Sequence, residues 1–219
     1  MGRREEVRRR TFDEILSAAS RVAEDEGWPA VTIRRIAAEI GYSAPVIYQH
    51  FENKDAVLHT VLDRGNAALL RRMRDAVDAG PASDGVRLAA VAYLEFARSQ
   101  PSLYQLMASP PGAVVDAVAR RRAAAEVIEF TGQVIQEWAA AESVRLRSVE
   151  DACDLLWATT HGLAGIGLLA DIGFDRALRL ADQAVAALLA YWSGSLTTVN
   201  SPATEAMATR GDSSTVTRR

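Results

Sequence analysis

Residues 32–54 read TIRRIAAEIGYSAPVIYQHFENK, and this stretch decides the fold. Ile33, Ile36, Ala37 and Ile40 recur at helical spacing and make one apolar face. Thr32 caps that helix with its hydroxyl. Gly41 stands where a glycine ends a helix, because glycine enters the left-handed region without a Cβ penalty. Ser43 caps a second helix, and Pro45 suits its first turn, where no N–H is required. The second helix covers about residues 44–50, with Ile47 and Phe51 inward and Ala44, Pro45, Val46, Tyr48, Gln49 and His50 outward. Asn53 caps a further helix opened by Lys54 and Asp55. A helix, a glycine turn and a second short helix define a helix-turn-helix unit.

The DNA major groove admits one α-helix, whose exposed side chains reach base edges. The second helix is the candidate reader. The quoted residues resemble the DNA-binding domain of the TetR family of bacterial repressors, over roughly residues 8–58. Thr32, the Ile36-Ala37 pair, Gly41, Tyr48, His50-Phe51 and Asn53-Lys54 carry the resemblance. It implies an all-α homodimeric regulator of about nine helices. An N-terminal three-helix bundle with the helix-turn-helix would occupy 1–58, and a larger, divergent ligand-binding and dimerisation domain 59–194.

The candidate DNA-binding residues are Thr32, Arg34, Ser43, Ala44, Pro45, Val46, Tyr48, Gln49, His50 and Lys54. Arg34 and Arg35 sit near a helix N-terminus, where positive charge is mildly unfavourable, and this favours contact with DNA over a solvated pair. Tyr48 and His50 offer hydrogen bonds to phosphate, and Lys54 adds charge at a helix N-terminus, where phosphate already prefers to sit. Ala44 and Val46 suit thymine methyl groups, and Gln49 suits adenine.

The net charge of −3 does not advertise a nucleic-acid binder, but a local patch is the relevant test. Arg3, Arg4, Arg8, Arg9 and Arg10 form one against Glu5 and Glu6. Residues 1–10 therefore read as a mobile basic arm, either solvated or laid on phosphate or in a minor groove. Cys153 is alone, so no internal disulfide forms. No apolar run reaches the length of a membrane span, and the basic N-terminus lacks the apolar run of a signal peptide. The expectation is a cytoplasmic protein without a membrane partner.

Elsewhere the pattern is helical throughout. Thr11 to Glu14 matches a capping box, opening a helix that reaches about residue 26. Phe12 and Trp28 read as structural, with Trp28 and Val31 closing the small core. Helices follow over about 54–77, 86–99, 103–108, 113–142, 149–172 and 175–192, with loops at 80–85 and 109–112. Residues 195–219, rich in Ser and Thr, read as a disordered tail.

The segment LWATTHGLAGIGLL resembles the Trp-x-x-x-His-Gly neighbourhood of one TetR-family C-terminal subgroup. Tyr93, Phe96, Tyr104, Met107, Phe130, Trp138, Trp157 and His161 are candidate ligand-binding residues; for each aromatic alone, plain core is the competing reading. Gly162, Ala164, Gly165 and Leu169 would let the last two helices pack against a partner's pair. No metal-ligand spacing, phosphate loop or nucleophile-base pair appears. Cys153 and His161 stand about 12 Å apart along one helix at 1.5 Å per residue. The sequence therefore predicts no enzyme and no cofactor, but a repressor that binds a palindromic operator as a homodimer and is released by a small apolar effector. The alternative is a helical small-molecule-binding or enzymatic module with vestigial DNA binding.

Overall fold

The computed structural model describes residues 2–108, 115–169 and 172–194. Among these it contains ten α-helices and no strand. They are α1 (Arg3–Glu26), α2 (Ile33–Glu39), α3 (Ala44–Tyr48), α4 (Lys54–Asp78), α5 (Gly85–Ser99), α6 (Pro101–Ala108), α7 (Ala117–Ala123), α8 (Ala125–Ala141), α9 (Val149–Leu168) and α10 (Phe174–Trp192). Single 3-10 turns at Trp28–Ala30 and Ala82–Asp84 join α1 to α2 and α4 to α5. The expected loop at 109–112 and the expected tail at 195–219 lie outside the described residues.

Two cores organise the chain. The first joins Ile15, Ala19 and Val22 of α1 to Ile36, Ile47 and Phe51, and to Leu58 and Leu62 of α4. It also takes in Leu106 from α6 and Val115. The second is built on α5, with Leu94, Phe96, Ile135, Trp138, Leu156, Ala164 and Val185 among its buried members. Helix α4 runs through both: Leu58 and Leu62 belong to the first, Leu69 and Met73 to the second. Helix α6 lies across the join, since Leu103 and Met107 pack against both cores.

Three expected helix boundaries are corrected. The basic arm is helical from Arg3, as the first turns of α1. Arginine and glutamate are good helix formers, and Glu5 and Glu6 in the first turn favour the helix dipole. Thr11 is therefore buried in mid-helix rather than a cap, and Glu14 pairs with Arg10 at 3.0 Å. The long helix expected over 113–142 is two. Asp116 accepts from the Val118 and Ala119 N–H groups, both at 2.9 Å, and starts α7. A break at Ala124 then lets each half serve a different core: Ala119 and Ala123 pack on the first, Val127 and Ile135 in the second. Finally, α9 ends at Leu168, short of residue 172.

The last two helices are held close by a glycine. A Cβ on Gly167 would stand 2.7 Å from the Ala177 Cβ, so α9 and α10 approach there as only glycine permits. Ala164 is fully buried between elements of its own protomer, which corrects its expected place at a partner-facing surface. Gly162 and Gly165 meet nothing within 4 Å and remain open.

Candidate nucleic-acid interface and aromatic cluster

The helix-turn-helix is fixed by local backbone chemistry. Thr32 Oγ1 accepts from the Arg35 N–H at 3.1 Å and starts α2. Its end is a Schellman turn: the Tyr42 N–H reaches the Ala37 carbonyl at 2.9 Å and the Gly41 N–H the Ala38 carbonyl at 3.4 Å, with Gly41 at φ +69°. Ser43 precedes α3 in extended backbone, but its hydroxyl makes no capping bond. Asn53 Oδ1 accepts from the Ala56 N–H at 2.9 Å and starts α4.

Helix α3 has only five residues, too few to be stable alone. Buried Ile47 and Phe51 pin it to the first core. Its other face is open: Pro45, Tyr48 and Gln49 are exposed, Tyr48 at 55%, while Ala44, Val46 and His50 are half-buried at its margins. Thr32 and Ser43 are exposed beside it, and Lys54 is half-buried at the start of α4. Helix α3 ends at Tyr48, so Gln49 and His50 lie at and just past its last turn.

The two arginines of α2 part company. Arg35 donates to Glu26 at 2.8 Å and to Glu39 at 2.9 Å, and Glu39 also pairs with Arg21 at 3.2 Å. Hydrogen bonds from Arg21 and Arg35 hold the Glu39 carboxyl below its usual range. Arg35 is thus a staple between α1 and α2, which corrects its reading as a DNA contact; Arg34 is exposed and has no ion pair among the described residues. The helical arm also reaches the reader, which its sequence does not announce. Burial, then the nearby charge of Arg8, depresses the His50 pKa, so His50 is neutral at neutral pH. Its ring leans on Phe12 at 6.4 Å, and Phe12 stacks on Phe51 at 4.7 Å.

Of the candidate ligand residues, four come together. Tyr93 Oη and Tyr104 Oη lie 3.0 and 3.2 Å from His161 Nδ1. Tyr104 Oη also donates to the His161 carbonyl at 3.1 Å. Trp157 stacks on the imidazole, with centroids 4.7 Å apart and planes at 19°. Burial pushes the Tyr104 hydroxyl up to about 12 and the Tyr93 hydroxyl well above its ordinary value, so both keep their protons. The other four stand in different settings. Phe96 is buried core, Met107 bridges the two cores, Phe130 lies under the Arg74 guanidinium at 5.5 Å, and Trp138 packs on Trp192 at 5.9 Å. A surface cleft of about 500 Å³ beside Trp192, lined also by Arg145, Arg147, Leu155 and Tyr191, had no signal in the sequence, because its walls come from chain segments far apart.

One hydrogen bond ties the first core to the start of α6. Trp28 Nε1 donates to the Ser102 carbonyl at 2.7 Å, joining the turn after α1 to the first turn of α6. Tyr104, two residues on, reaches His161. Among the described residues no helix is long and apolar enough to cross a membrane, and no three His, Cys, Asp or Glu side chains gather as a metal site.

A short reader helix carried on a three-helix core, followed by a larger helical body, defines a helix-turn-helix regulator. Residues 15–61 match the family model for bacterial regulatory proteins of the tetR family, and residues 86–191 match the tetracyclin repressor-like C-terminal domain. The chain belongs to the TetR family of DNA-binding transcriptional regulators. It is 27% identical over 109 residues to the nucleoid occlusion factor SlmA of Serratia proteamaculans, covering 49% of this chain and 55% of that protein. It is 31% identical over 103 residues to an HTH-type transcriptional repressor of Streptomyces coeruleorubidus, covering 46% of this chain and 37% of that protein. The matches thus span about half or less of the curated relatives' length. In fold it is similar to a tetR-family regulatory protein from Rhodococcus RHA1, with TM-score 0.63, 18% identity and coverage of 81% and 95% of the two chains. It is likewise similar to the regulator FadR of Bacillus subtilis, solved with stearoyl-CoA, with TM-score 0.67, 16% identity and coverage of 84% and 98%.

Proposed function

We propose that the chain is a cytoplasmic homodimeric repressor that binds a palindromic operator and is released from it by a small apolar molecule. Residues 1–58 would hold the DNA-binding part and 59–194 the effector and dimerisation part. The reading assigns the chain no reaction. The observation that carries it is the outer face of α3: Pro45, Tyr48 and Gln49 stand free on a helix whose inner face is closed by Ile47 and Phe51. Arg34, Ser43 and Lys54 flank that face, and Arg8 approaches it from the helical arm. Together they offer phosphate contacts around a base-reading centre.

Dimerisation is supported by an apolar stripe. Leu155, Ile166, Leu169 and Tyr191 are each 44–59% exposed, with open Gly162 between the first two. Pairing α9 and α10 with their counterparts makes a four-helix interface and sets two readers on a twofold axis. An effector works only by favouring one spacing of the readers over another. Helix α6 can carry that choice, because it touches His161 through Tyr104 and the first core through Leu106 and the Trp28 bond.

The test is retention of a DNA fragment from beside the protein's own gene. Lys54→Ala should weaken retention and lower the slope of log affinity against log salt by about 0.9 for each phosphate no longer neutralised. Tyr48→Phe should weaken binding with little change in slope, since it removes a neutral donor. Unchanged affinity in both variants would defeat the assignment of these residues.

The α6 tie has its own test. Trp28→Phe keeps an aromatic ring but leaves the Ser102 carbonyl without its donor. We expect a loss of about 1–3 kcal/mol in denaturant unfolding and weaker operator binding. Wild-type values for both would mean the bond joins the turn after α1 to α6 only in passing.

A further inference from the structure

Helix α1 outruns the core it serves. Its packing residues begin at Thr11 and Phe12, whereas residues 3–10 are all exposed. That overhang is a little over two turns, about 12 Å at 1.5 Å per residue. It also precedes the residues that match the family's reader, which begin at 15.

The overhang has two unlike sides. Positions four apart share a helix face, so Arg4 and Arg8 continue the line of Phe12. Phe12 stacks on Phe51 and leans on His50, so this line runs past the C-terminal end of α3. The charge of Arg8 is felt at His50. On the other side Arg9 and Arg10 share a cleft with Glu6, Asp13 and Glu14, and Arg10 pairs with Glu14 at 3.0 Å. Acids offset the arginines there. Arg4 and Arg8 make no ion pair among the described residues, and neither does Glu5 at the margin of their line. Two unpaired guanidinium groups thus stand beside the reader and extend its outer face.

We propose that Arg4 and Arg8 bind two phosphates of the DNA backbone next to the bases that α3 covers, so that the overhang widens the grip on each half-site. The proposal deepens the reading of the chain as a DNA-binding regulator and rests on it. An α-helix with its side chains is about 10–12 Å across and the minor groove about 6 Å wide, so the overhang lies along the backbone and does not enter the groove. Arginine meets a phosphate with two parallel N–H bonds. Such contacts add affinity and carry no sequence information.

Gel shifts over a range of salt, on DNA from beside the gene, compare the full-length wild type with three double variants. Arg4→Gln with Arg8→Gln removes the charges and keeps the helix, since glutamine is nearly as good a helix former as arginine. Its slope of log affinity against log salt should be shallower by about 3.6, or about 0.9 for each of four phosphates in the dimer. Between about 50 and 200 mM salt the wild type should then lose roughly 150-fold more affinity than this variant. Operator and random-sequence DNA should weaken by the same factor. Arg9→Gln with Arg10→Gln removes equal charge from the other side and should keep the wild-type slope. Arg4→Lys with Arg8→Lys should keep most of it. A wild-type slope in the Arg4 and Arg8 glutamine variant overturns the proposal. So does an equal loss in the Arg9 and Arg10 variant, which would mean a general attraction between charges. A wild-type protein that retains no DNA at low salt sinks the regulator reading and this proposal with it, whereas retention with an unchanged slope sinks this proposal alone.

Discussion

Gly162→Arg is expected to leave a folded monomer whose operator affinity has fallen by about 10²–10⁴, the gain that a second tethered reader supplies. Gly162 is exposed in the middle of α9, and a side chain there meets nothing within 4 Å in its own protomer. The protomer therefore tolerates the arginine. Leu155 and Ile166 lie on the same face, so in a dimer the guanidinium would enter an apolar seam without an acid to pair with. Sedimentation and gel shift measure the two halves of the outcome. A dimer that survives the substitution would place the partner elsewhere. Gly167, further along the same helix, is closed where Gly162 is open.

Ile47→Ala is expected to lower stability by about 2–5 kcal/mol. Ile47 is fully buried and belongs to a helix of five residues, whose position depends on side-chain packing rather than on its own backbone bonds. The cavity would open directly beneath the face that carries Tyr48 and Gln49. Operator binding should fall more than the stability loss alone accounts for, because the remaining folded molecules hold α3 loosely. Denaturant titration and gel shift at a temperature where the variant is fully folded check this. An unchanged unfolding midpoint would mean that α3 is positioned by other contacts.

Much of the reader unit was legible in the sequence because its signals are local. The Thr32 and Asn53 caps, the Gly41 turn and the inward pair Ile47 and Phe51 all act within a few residues. The helical start of α1 was not, because a run of Arg and Glu reads equally as a solvated arm or as good helix formers. The break at Ala124 has no sequence punctuation; it follows from two cores pulling neighbouring turns to different sides. Arg34 and Arg35 look alike in sequence, and only the positions of Glu26 and Glu39 separate them. The aromatic candidates divided the same way. Tyr93 and Tyr104 meet His161 across separations of 68 and 57 residues, and no periodicity reports such contacts.

The account depends most on two α3 helices meeting one duplex. The direct measurement is a cleavage footprint of the purified protein on DNA from beside its gene. It should show two protected half-sites related by a twofold axis, their centres separated by about one helical turn, roughly 34–36 Å, or a multiple of it. A folded dimer that leaves no footprint at low salt, or protects a single site without symmetry, would contradict it.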